Sequence, residues 1–445
     1  MTDPARPARD DLLARAMEHH RAGRLAAAAA DYRAVLAASP DHAGALHNLG
    51  VVMAESGDPA AALDLFDRAV AGEPAYASAH FNRASALRAL GKVDAAVDGF
   101  RRTVSLAPDH YEAHRALAFL WQALGRRDRA LDHFARTLEL RRGADRIGIA
   151  DASLQYATPA KLRHDAAQFC YLAGLGRDSQ RWELLARSYA GAAEEIGGAA
   201  SPMRLSDDQL DVLGETYNLP FHVIDAPELP GPAVDPALDV AGITAAWEAA
   251  APGVAQLDGL LTARALTLLL RFLLESTIWF DFSHIDGFLA AYLEDGLACP
   301  LILQIADELR AALPAVFGGH ALVQGWAFKG LAGDRPIAPH ADDAAISVNF
   351  WLTPDEANDD PNRGGLMICR TAPPRGRVIA GYDADRDEID RFLAAHEDDH
   401  VIVPYRENRA VLFESRLFHG SDAPDFAPGY ANHRINITLL YGGAR

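Results

Sequence analysis

The first third of the chain repeats one pattern of apolar, small and turn-forming positions every 34 residues. Four kinds of residue recur at this step: a glycine, an alanine, an aromatic residue and, in three of the four units, a proline. In chain order they are Gly23, Gly57, Gly91 and Gly125; Ala28, Ala62, Ala96 and Ala130; Tyr32, Phe66, Phe100 and Phe134; and Pro40, Pro74 and Pro108. Repetition at one fixed period indicates a stack of similar supersecondary units.

Each recurring residue has a physical role in a unit of two helices. Glycine suits the turn between the helices because it adopts left-handed backbone angles without strain. Alanine, with a second small column at Ala16, Gly50, Ala84 and Ala118, lets the paired helices approach closely. The aromatic residue fills the space between units, and proline ends the second helix because it lacks an N–H group. The fourth proline position holds Arg142, so we expect the array to change there.

Beyond residue 147 the 34-residue pattern is lost, but helical periodicity continues. Apolar spacing predicts helices over 161–175, 180–196, 262–278 and 301–313. The intervening stretch 219–239 contains five prolines and few periodic apolar positions, which is typical of a linker.

After residue 319 the pattern changes to short strands separated by polar turns. The predicted strands are 321–328, 345–352, 365–369, 400–403, 410–413 and 434–441. Short strands of this kind are typical of a jelly roll or cupin-like barrel. With the preceding helices bracing one side, we predict an α+β unit.

Three residues in this strand-rich region form a candidate metal site. His340 and Asp342 are two residues apart, so on a strand they point to the same side, and a distant strand can bring His419 to them. Two imidazoles and one carboxylate on one face of an ion leave the other positions open, as in non-haem Fe(II) oxygenases. The neighbouring Asp343 can replace Asp342 as a ligand only if the strand is bulged there.

The last predicted strand carries polar residues on one face. Arg434, Asn436 and Thr438 alternate with apolar residues, so all three point toward the interior if the strand lines a barrel. A guanidinium in that position needs an anion, and a carboxylate can accept two parallel hydrogen bonds from it. Either a bound carboxylate or an internal Asp or Glu satisfies this requirement.

Composition narrows the classes of partner. The formal charge is −19, while residues 1–142 hold 19 basic and 18 acidic side chains, so the chain beyond Arg142 carries about −20. Such acidity repels phosphate backbones, and we expect no nucleic-acid partner. The sequence contains no uninterrupted apolar run long enough to span a membrane and no secretory signal, which predicts a cytoplasmic protein. The three cysteines are far apart and are expected to be buried thiols.

The repeated columns resemble tetratricopeptide repeats over residues 9–142. The resemblance implies an α-solenoid whose concave surface binds a peptide or partner protein. It also implies that certain polar residues lie on that surface, where they either contact a partner or only solvate the helix; these are His47, Asn48, Asn82, Arg83, His114 and Arg115.

Residues 253–441 resemble the 2-oxoglutarate-dependent dioxygenases, particularly the branch with prolyl hydroxylases. The resemblance rests on His340-Ala-Asp342, on Gly364-Gly365-Leu366, on the segment Phe413 to His419, and on Arg434 fifteen residues further. It implies a double-stranded β-helix that binds Fe(II), 2-oxoglutarate and O2. Arg434 then binds the remote carboxylate of 2-oxoglutarate. Asn349, Asn436 and Thr438 assist, and Trp326, Phe328 and Lys329 lie along the pocket or pack in the core.

Together these expectations define three regions: repeats at 1–142, a helical extension and proline-rich linker at 143–240, and a dioxygenase domain at 241–445. We expect an oxygenase that hydroxylates a peptide or protein side chain recruited with the help of the repeats. A small-metabolite hydroxylase and a non-catalytic scaffold with a vestigial metal site stay open as alternatives. No oligomeric state is predicted.

Overall fold

The computed structural model describes residues 6–143, 150–198, 201–249, 252–283, 287–331, 336–373 and 386–443. The chain divides into two compact units, Met1–Leu120 and Trp121–Arg445. In the first unit, successive helices are α1 (Arg6–Arg21), α2 (Leu25–Ala38), α3 (Ala43–Glu55), α4 (Pro59–Gly72), α5 (Ala77–Ala89), α6 (Val93–Leu106) and α7 (Tyr111–Ala123), whose last turn crosses the division.

The recurring residues take the positions that the 34-residue pattern predicts. All four repeat glycines have left-handed φ angles between +69° and +83°. None of the repeat alanines and aromatic residues is more than 2 % exposed. A Cβ on Gly50 would lie 2.6 Å from the Phe66 ring, so the close approach of α3 and α4 requires glycine at that position. The prolines Pro40 and Pro74 follow the ends of α2 and α4 by two residues.

The second unit starts with helices. These are α8 (Arg127–Arg142), α9 (Ala150–Gln155), α10 (Pro159–Gly174), α11 (Ser179–Ile196), α12 (Asp207–Leu213), α13 (Val240–Ala249), α14 (Ala263–Glu275), α15 (Pro300–Ala312), α16 (Pro314–Phe317) and α17 (Arg386–Ala395). Its strands are β1 (Tyr156–Ala157), β2 (Met203–Arg204), β3 (Val254–Asp258), β4 (Phe288–Tyr292), β5 (Leu322–Gly330), β6 (Ile346–Trp351), β7 (Leu366–Cys369), β8 (His400–Val403), β9 (Arg409–Glu414), β10 (His419–Ser421) and β11 (Ile435–Tyr441).

The larger strands form two antiparallel sheets. One has six strands in the order β3-β9-β6-β11-β5-β4, and the other has three in the order β10-β7-β8. An apolar cluster joins them, with Trp351 and Val411 from the larger sheet and Ile368 and Val403 from the smaller. The described strands do not close into a barrel. The fold is therefore a helical repeat unit followed by a sheet-containing unit.

The elements predicted from periodicity are confirmed to within a few residues. All six predicted strands are present, as are the four predicted helices at α10, α11, α14 and α15. Five strands were not predicted: β1, β2 and β10, each of two or three residues, and β3 and β4, which form the two edges of the large sheet. β4 is buried on both faces, so its sequence lacks the alternation of a half-exposed strand.

The proline-rich stretch 219–239 contains no helix or strand, yet it is fastened along α15. The carboxylate of Glu308 accepts hydrogen bonds from the amides of Ala233 and Val234, each at 2.8 Å. Gln304 accepts from the Leu229 amide and donates to the Gly231 carbonyl. Because its backbone groups are satisfied by these fixed side chains, the stretch belongs structurally to the second unit.

Two smaller expectations have different outcomes. Cys299 and Cys369 are buried, but Cys170 is exposed, so the expectation of three buried thiols was wrong for that residue. It lies on the solvent side of α10. Among the described helices, none is both long and apolar enough to cross a membrane.

Lys329 on β5 lies on the face of the sheet opposite to Trp326 and Phe328. Its side chain is completely buried, and its Nζ lies 3.0 Å from the centre of the Tyr430 ring. Within the described part of the chain, no hydrogen-bond acceptor reaches that Nζ. Burial lowers the pKa of Lys329 well below its usual value, and the charge of Asp165 opposes this only partly. Lys329 is a core residue, and it does not line the pocket described below.

Replacing Lys329 by methionine is expected to stabilise the second unit by about 1–4 kcal/mol, because a poorly solvated amine is removed and the volume is kept. The lysine's pKa is lower in the folded than in the unfolded state, so wild type gains stability as pH rises toward the unfolded pKa of about 10.4. The advantage of the variant should therefore be largest at neutral and acidic pH. It should shrink as the pH rises.

Urea unfolding followed by tryptophan fluorescence measures the stability of the second unit, because all six tryptophans lie between Trp121 and Trp351, within that unit. Lys92→Met, an exposed substitution in the first unit, serves as the control. A lower urea midpoint for Lys329→Met at pH 7 would show that the amine stabilises the core.

Candidate metal and cosubstrate site

His340 and His419 are held side by side by an antiparallel bridge. The amide of each donates to the carbonyl of the other at 2.9 Å, and the imidazole ring centres are 4.4 Å apart. The next residue, Gly420, allows this approach, since a Cβ there would lie 2.7 Å from the Ile337 carbonyl oxygen. Two histidines separated by 79 positions in the sequence thus become neighbours across one pair of backbone hydrogen bonds.

Asp342 completes a group of three possible ligands. Its carboxylate oxygens lie 3.7 Å from Nε2 of His340 and 3.5 Å from Nε2 of His419. One ligand atom from each residue lies within 4.8 Å of the others. The intervening Ala341 points away, into an apolar cluster with Phe418. The exposed Asp343 is not part of the group.

The two imidazoles present the same nitrogen to the centre of the group. Nδ1 of His340 donates to the Ala338 carbonyl at 3.0 Å, and Nδ1 of His419 donates to the Leu417 carbonyl at 2.9 Å. Because carbonyl oxygens only accept, Nδ1 carries the proton in both rings and Nε2 keeps a lone pair. Burial, reinforced by the nearby His419, lowers the pKa of His340 to about 4. A neutral ring at physiological pH can bind a metal ion directly.

The Ser347 hydroxyl orients the carboxylate, and the Ser415 hydroxyl contacts Ser347. Ser347 on β6 donates to Asp342 at 2.7 Å and lies 2.9 Å from the Ser415 hydroxyl. The Asp342 amide also donates to the Ser415 carbonyl. Hydrogen bonds of this kind hold a metal-ligating carboxylate in one orientation. The donor set, two nitrogens and one carboxylate, fits a divalent transition metal such as Fe(II).

A partly open pocket, with about 430 Å³ of atom-free space, adjoins His340 and His419 and extends to Arg434. His340 and His419 stand at one end, while Asn349, Asn436 and Thr438 line it with the arginine. Its apolar walls include Trp351, Leu366 and Phe413. The polar residues predicted from the alternation of β11 therefore face the same cavity as the two histidines.

The polar lining is largely buried and partly unsatisfied. Arg434 is 6 % exposed and donates to the Gly364 carbonyl at 2.8 Å. Asn349 donates to the Thr438 hydroxyl at 2.9 Å, but its buried Oδ1 has no hydrogen-bond donor among the described residues. The Asn349 oxygen can accept a hydrogen bond and the Arg434 guanidinium can donate. A polar ligand with both donor and acceptor groups therefore suits this end of the pocket, as does a ligand that leaves a water molecule at the Asn349 oxygen. A ligand carboxylate would pair with this arginine through charge-assisted hydrogen bonds.

Gly364 and Gly365 shape the end of the pocket at Arg434. Gly364 has a φ of +74°, and its carbonyl accepts from Arg434. A Cβ on Gly365 would lie only 1.9 Å from the Val403 carbonyl oxygen, so no other residue fits between β7 and β8. These glycines set the backbone that holds the guanidinium in place.

Sequence reasoning missed several residues of the site. Ser347 and Trp351 flank Asn349 at alternate positions of β6, so the period of two that assigns Asn349 to the pocket also assigns them. Phe413 packs on His419 with ring centres 4.6 Å apart. Asp281 and Tyr292 line a second cavity together with His340, and no sequence pattern connects them to that histidine.

Comparison with known proteins identifies the N-terminal part of the chain. The tetratricopeptide repeat family model matches residues 13–80, 54–110 and 81–145. Residues 13–145 are tetratricopeptide repeats. A comparison with curated proteins gave no match.

Several solved structures are similar to part of this chain. The first tetratricopeptide domain of Spaghetti (RPAP3), bound to the HSP90 peptide SRMEEVD, is 25 % identical, with coverage of 26 % of this chain and 93 % of that domain and a TM-score of 0.26. MamA from Desulfovibrio magneticus RS-1 is 23 % identical, with coverage of 31 % and 78 % and a TM-score of 0.30. Another MamA crystal structure is 20 % identical, with coverage of 41 % and 93 % and a TM-score of 0.27.

Several polar residues of the tetratricopeptide helices contact one another. Asn82 lies 2.8 Å from Nε2 of His47, and the Tyr76 hydroxyl lies 3.1 Å from its Nδ1. Arg83 forms an ion pair with Asp67. Burial lowers the pKa of His47. These contacts show that His47, Asn82 and Arg83 have a structural role within the repeats.

Proposed function

We propose that this protein is an Fe(II)- and 2-oxoglutarate-dependent oxygenase that hydroxylates a side chain of a peptide or protein. The proposal depends on one observation: the three ligand atoms of His340, Asp342 and His419 converge within 4.8 Å beside a pocket that also contains Arg434. Residues far apart in the sequence supply the metal ligands and the anion-binding group of a single cavity.

The two sheets support a double-stranded β-helix as the fold of this unit. They share an apolar core, and the three candidate ligands lie on and beside β10 of the smaller sheet. The residues that line the pocket from the larger sheet come from β5, β6, β9 and β11. A cavity between two antiparallel sheets is the arrangement that the resemblance to 2-oxoglutarate-dependent dioxygenases leads us to expect.

Each residue has a distinct task in the proposed reaction. Nε2 of both histidines and the Asp342 carboxylate would hold Fe(II), which together with 2-oxoglutarate supplies oxygen activation and C–H hydroxylation with release of succinate and CO2. Arg434 would neutralise the far carboxylate of the cosubstrate with charge-assisted hydrogen bonds. The walls at Trp351, Leu366 and Phe413 exclude water from the reacting atoms.

Tetratricopeptide repeats support a peptide or protein as the substrate. Such repeats commonly bind peptides, and a second binding surface in the same chain raises the effective concentration of a bound substrate at the catalytic unit.

Succinate formation from 2-oxoglutarate tests the proposal, and variants of Arg434 make the test specific. Wild-type protein with Fe(II) is expected to form succinate. In Arg434→Met the KM for 2-oxoglutarate should rise by about tenfold to a hundredfold, because a hydrogen bond to a charged group contributes about 1.5–3 kcal/mol. The KM of Arg434→Lys should lie between those of wild type and Arg434→Met, since lysine keeps the charge and loses the planar pair of donors.

The matched control is Arg363→Met, which removes an exposed arginine close by in the sequence and should leave the KM unchanged. Absence of succinate from the wild-type reaction would contradict the proposed function. An unchanged KM in Arg434→Met would remove the assigned role of the arginine.

A further inference from the structure

The segment that carries His340 and Asp342 is irregular, so its shape depends on contacts from outside. Residues 336–342 form no helix or strand, apart from the isolated bridge between His340 and His419. Regular elements fix backbone angles through repeated hydrogen bonds, and an irregular segment lacks that repetition. The direction of the His340 imidazole therefore depends on how the peptide planes beside it are held.

The peptide plane between Pro339 and His340 is held at both ends. Its N–H donates to the His419 carbonyl at 2.9 Å, and its C=O accepts from Nη1 of Arg386 at 2.8 Å. A peptide unit is rigid, so two hydrogen bonds at opposite ends fix its rotation. That rotation sets the backbone angle φ of His340, and with it the direction in which the imidazole leaves the chain.

Arg386 is the first residue of α17, a position that the helix itself does not favour for a cation. The N-terminus of a helix carries a partial positive charge, which repels a guanidinium. The acidic side chains of Asp387 and Glu388 in the same turn suit that end of the helix. Arg386 is half-buried, and it reaches a carbonyl 47 positions away. Its placement is thus explained by the contact with Pro339 and not by the helix.

The remainder of α17 packs against both segments that carry ligands. Ile389 and Leu393 of the helix are buried in one cluster with Ala341 and Phe418. Ala341 lies between the first two ligands in the chain, and Phe418 directly precedes the third. The Phe392 ring also packs edge-on against Phe418, with ring centres 5.4 Å apart. One helix therefore braces the backbone at all three ligands, although no residue of α17 belongs to the ligand group formed by the described part of the chain.

We propose that Arg386 is a positioning residue for the metal ligands. By fixing the peptide plane ahead of His340, it sets the angle at which that imidazole meets an ion shared with Asp342 and His419. Loss of a group that orients a metal ligand typically costs about tenfold to a hundredfold in metal affinity. This role presupposes the metal site of the proposed function, but not the reaction carried out there.

Binding of Co(II) tests this role without turnover, because the visible absorption of bound Co(II) depends on the number and arrangement of its ligands. Co(II) is titrated anaerobically into the metal-free full-length protein, and calorimetry gives the affinity. In Arg386→Met we expect about tenfold to hundredfold weaker affinity and a changed absorption spectrum at saturation. Arg386→Lys keeps a charged donor, so both quantities should lie between those of wild type and Arg386→Met.

The matched control is Arg391→Met, which removes an exposed arginine that donates to the Asp387 carbonyl within the same helix. Its affinity for Co(II) and its spectrum should equal those of wild type. Urea unfolding of the metal-free variants separates stability from positioning, since a loss of stability alone lowers the urea midpoint and leaves the spectrum of the folded, saturated protein unchanged. Arg386→Gln, which keeps a polar but shorter side chain, replaces Arg386→Met if that variant does not fold.

Turnover distinguishes this role from that of Arg434. With Fe(II) at saturation, Arg386→Met should form succinate about tenfold more slowly and keep its KM for 2-oxoglutarate, whereas Arg434→Met changes that KM. Wild-type affinity and spectrum in Arg386→Met, or equal changes in Arg391→Met, would overturn the positioning role even if succinate forms. Altered Co(II) binding in Arg386→Met, together with a wild type that forms no succinate, would support the positioning role and contradict the oxygenase. Failure of wild type to bind Co(II) would overturn both.

Discussion

His340→Ala is expected to abolish succinate formation, with a loss of at least about a thousandfold, and to remove high-affinity binding of a divalent metal. Loss of a residue that only orients a ligand typically costs about tenfold to a hundredfold in metal affinity, so loss of a ligand itself should cost more. The remaining His419 and Asp342 provide only two protein ligands. Anaerobic calorimetric titration with Fe(II) and an assay of succinate measure the two effects separately.

Graded and matched variants sharpen this experiment. Ser347→Ala removes only the hydroxyl that donates to Asp342, so about a tenfold to hundredfold loss of metal affinity is expected. His396→Ala removes a half-buried histidine on the same unit that is outside the group of ligands, and it should behave as wild type. Equal turnover by wild type and His340→Ala would eliminate the catalytic assignment and leave a repeat scaffold as the better description.

Arg142→Met is expected to destabilise the second unit by about 3–5 kcal/mol, because it leaves a buried carboxylate without its main partner. Arg142 donates to Asp295 through Nε at 2.6 Å and Nη2 at 2.5 Å, and both side chains are 3 % exposed. The guanidinium also lies 4.0 Å over the Phe280 ring and donates to the Asn218 carbonyl. Arg141, 3.8 Å from Asp295, can replace only part of this attraction.

A double-mutant cycle with Asp295→Leu isolates the pair. The double variant Arg142→Met/Asp295→Leu should recover most of the loss, since no unpaired charge then stays buried. Urea unfolding followed by the tryptophans, all in the second unit, measures each change. A midpoint for Arg142→Met equal to that of wild type would show that water or Arg141 solvates Asp295 fully.

Arg142 also shows why one part of the sequence pattern changes. It occupies the position where three earlier repeats have proline, and it is the last residue of α8. A proline there would have no side chain to reach Asp295, so the departure from the repeat pattern coincides with a contact inside the second unit. The sequence indicated where the array changes, while the partner was visible only in the fold.

The repeats and the main strands could be predicted because their cause is local. A helix buries one stripe and a strand one face, so the spacing of apolar residues records the element directly, and four copies of the same unit reinforce the pattern. The edge strand β4 escaped prediction because it is buried on both faces and so lacks alternation. The proline-rich stretch at 219–239 lacks regular elements as predicted, but its attachment to Gln304 and Glu308 depends on residues more than 70 positions away.

The candidate site divides in the same way. The alternation of Arg434, Asn436 and Thr438 puts these side chains on one face through the geometry of a strand. His340 and Asp342 also come together, but by an isolated bridge at His340 and not on a strand as predicted. Their convergence with His419 required the bridge between His340 and His419. Asp281 lines a cavity with His340 because Asp281 is bridged to Ala290 of β4, which pairs with β5.

By itself the sequence determined the repeat unit, the order of the main helices and strands, and which polar residues share a face. Only the tertiary structure decided which faces meet: the three possible ligands at one point, Arg434 in the adjoining pocket, Lys329 in the core, and a carboxylate among aromatic rings on the open side. The reason is that periodicity is enforced by backbone geometry within a few residues, whereas the contacts that make a site join segments whose separation along the chain leaves no periodic trace.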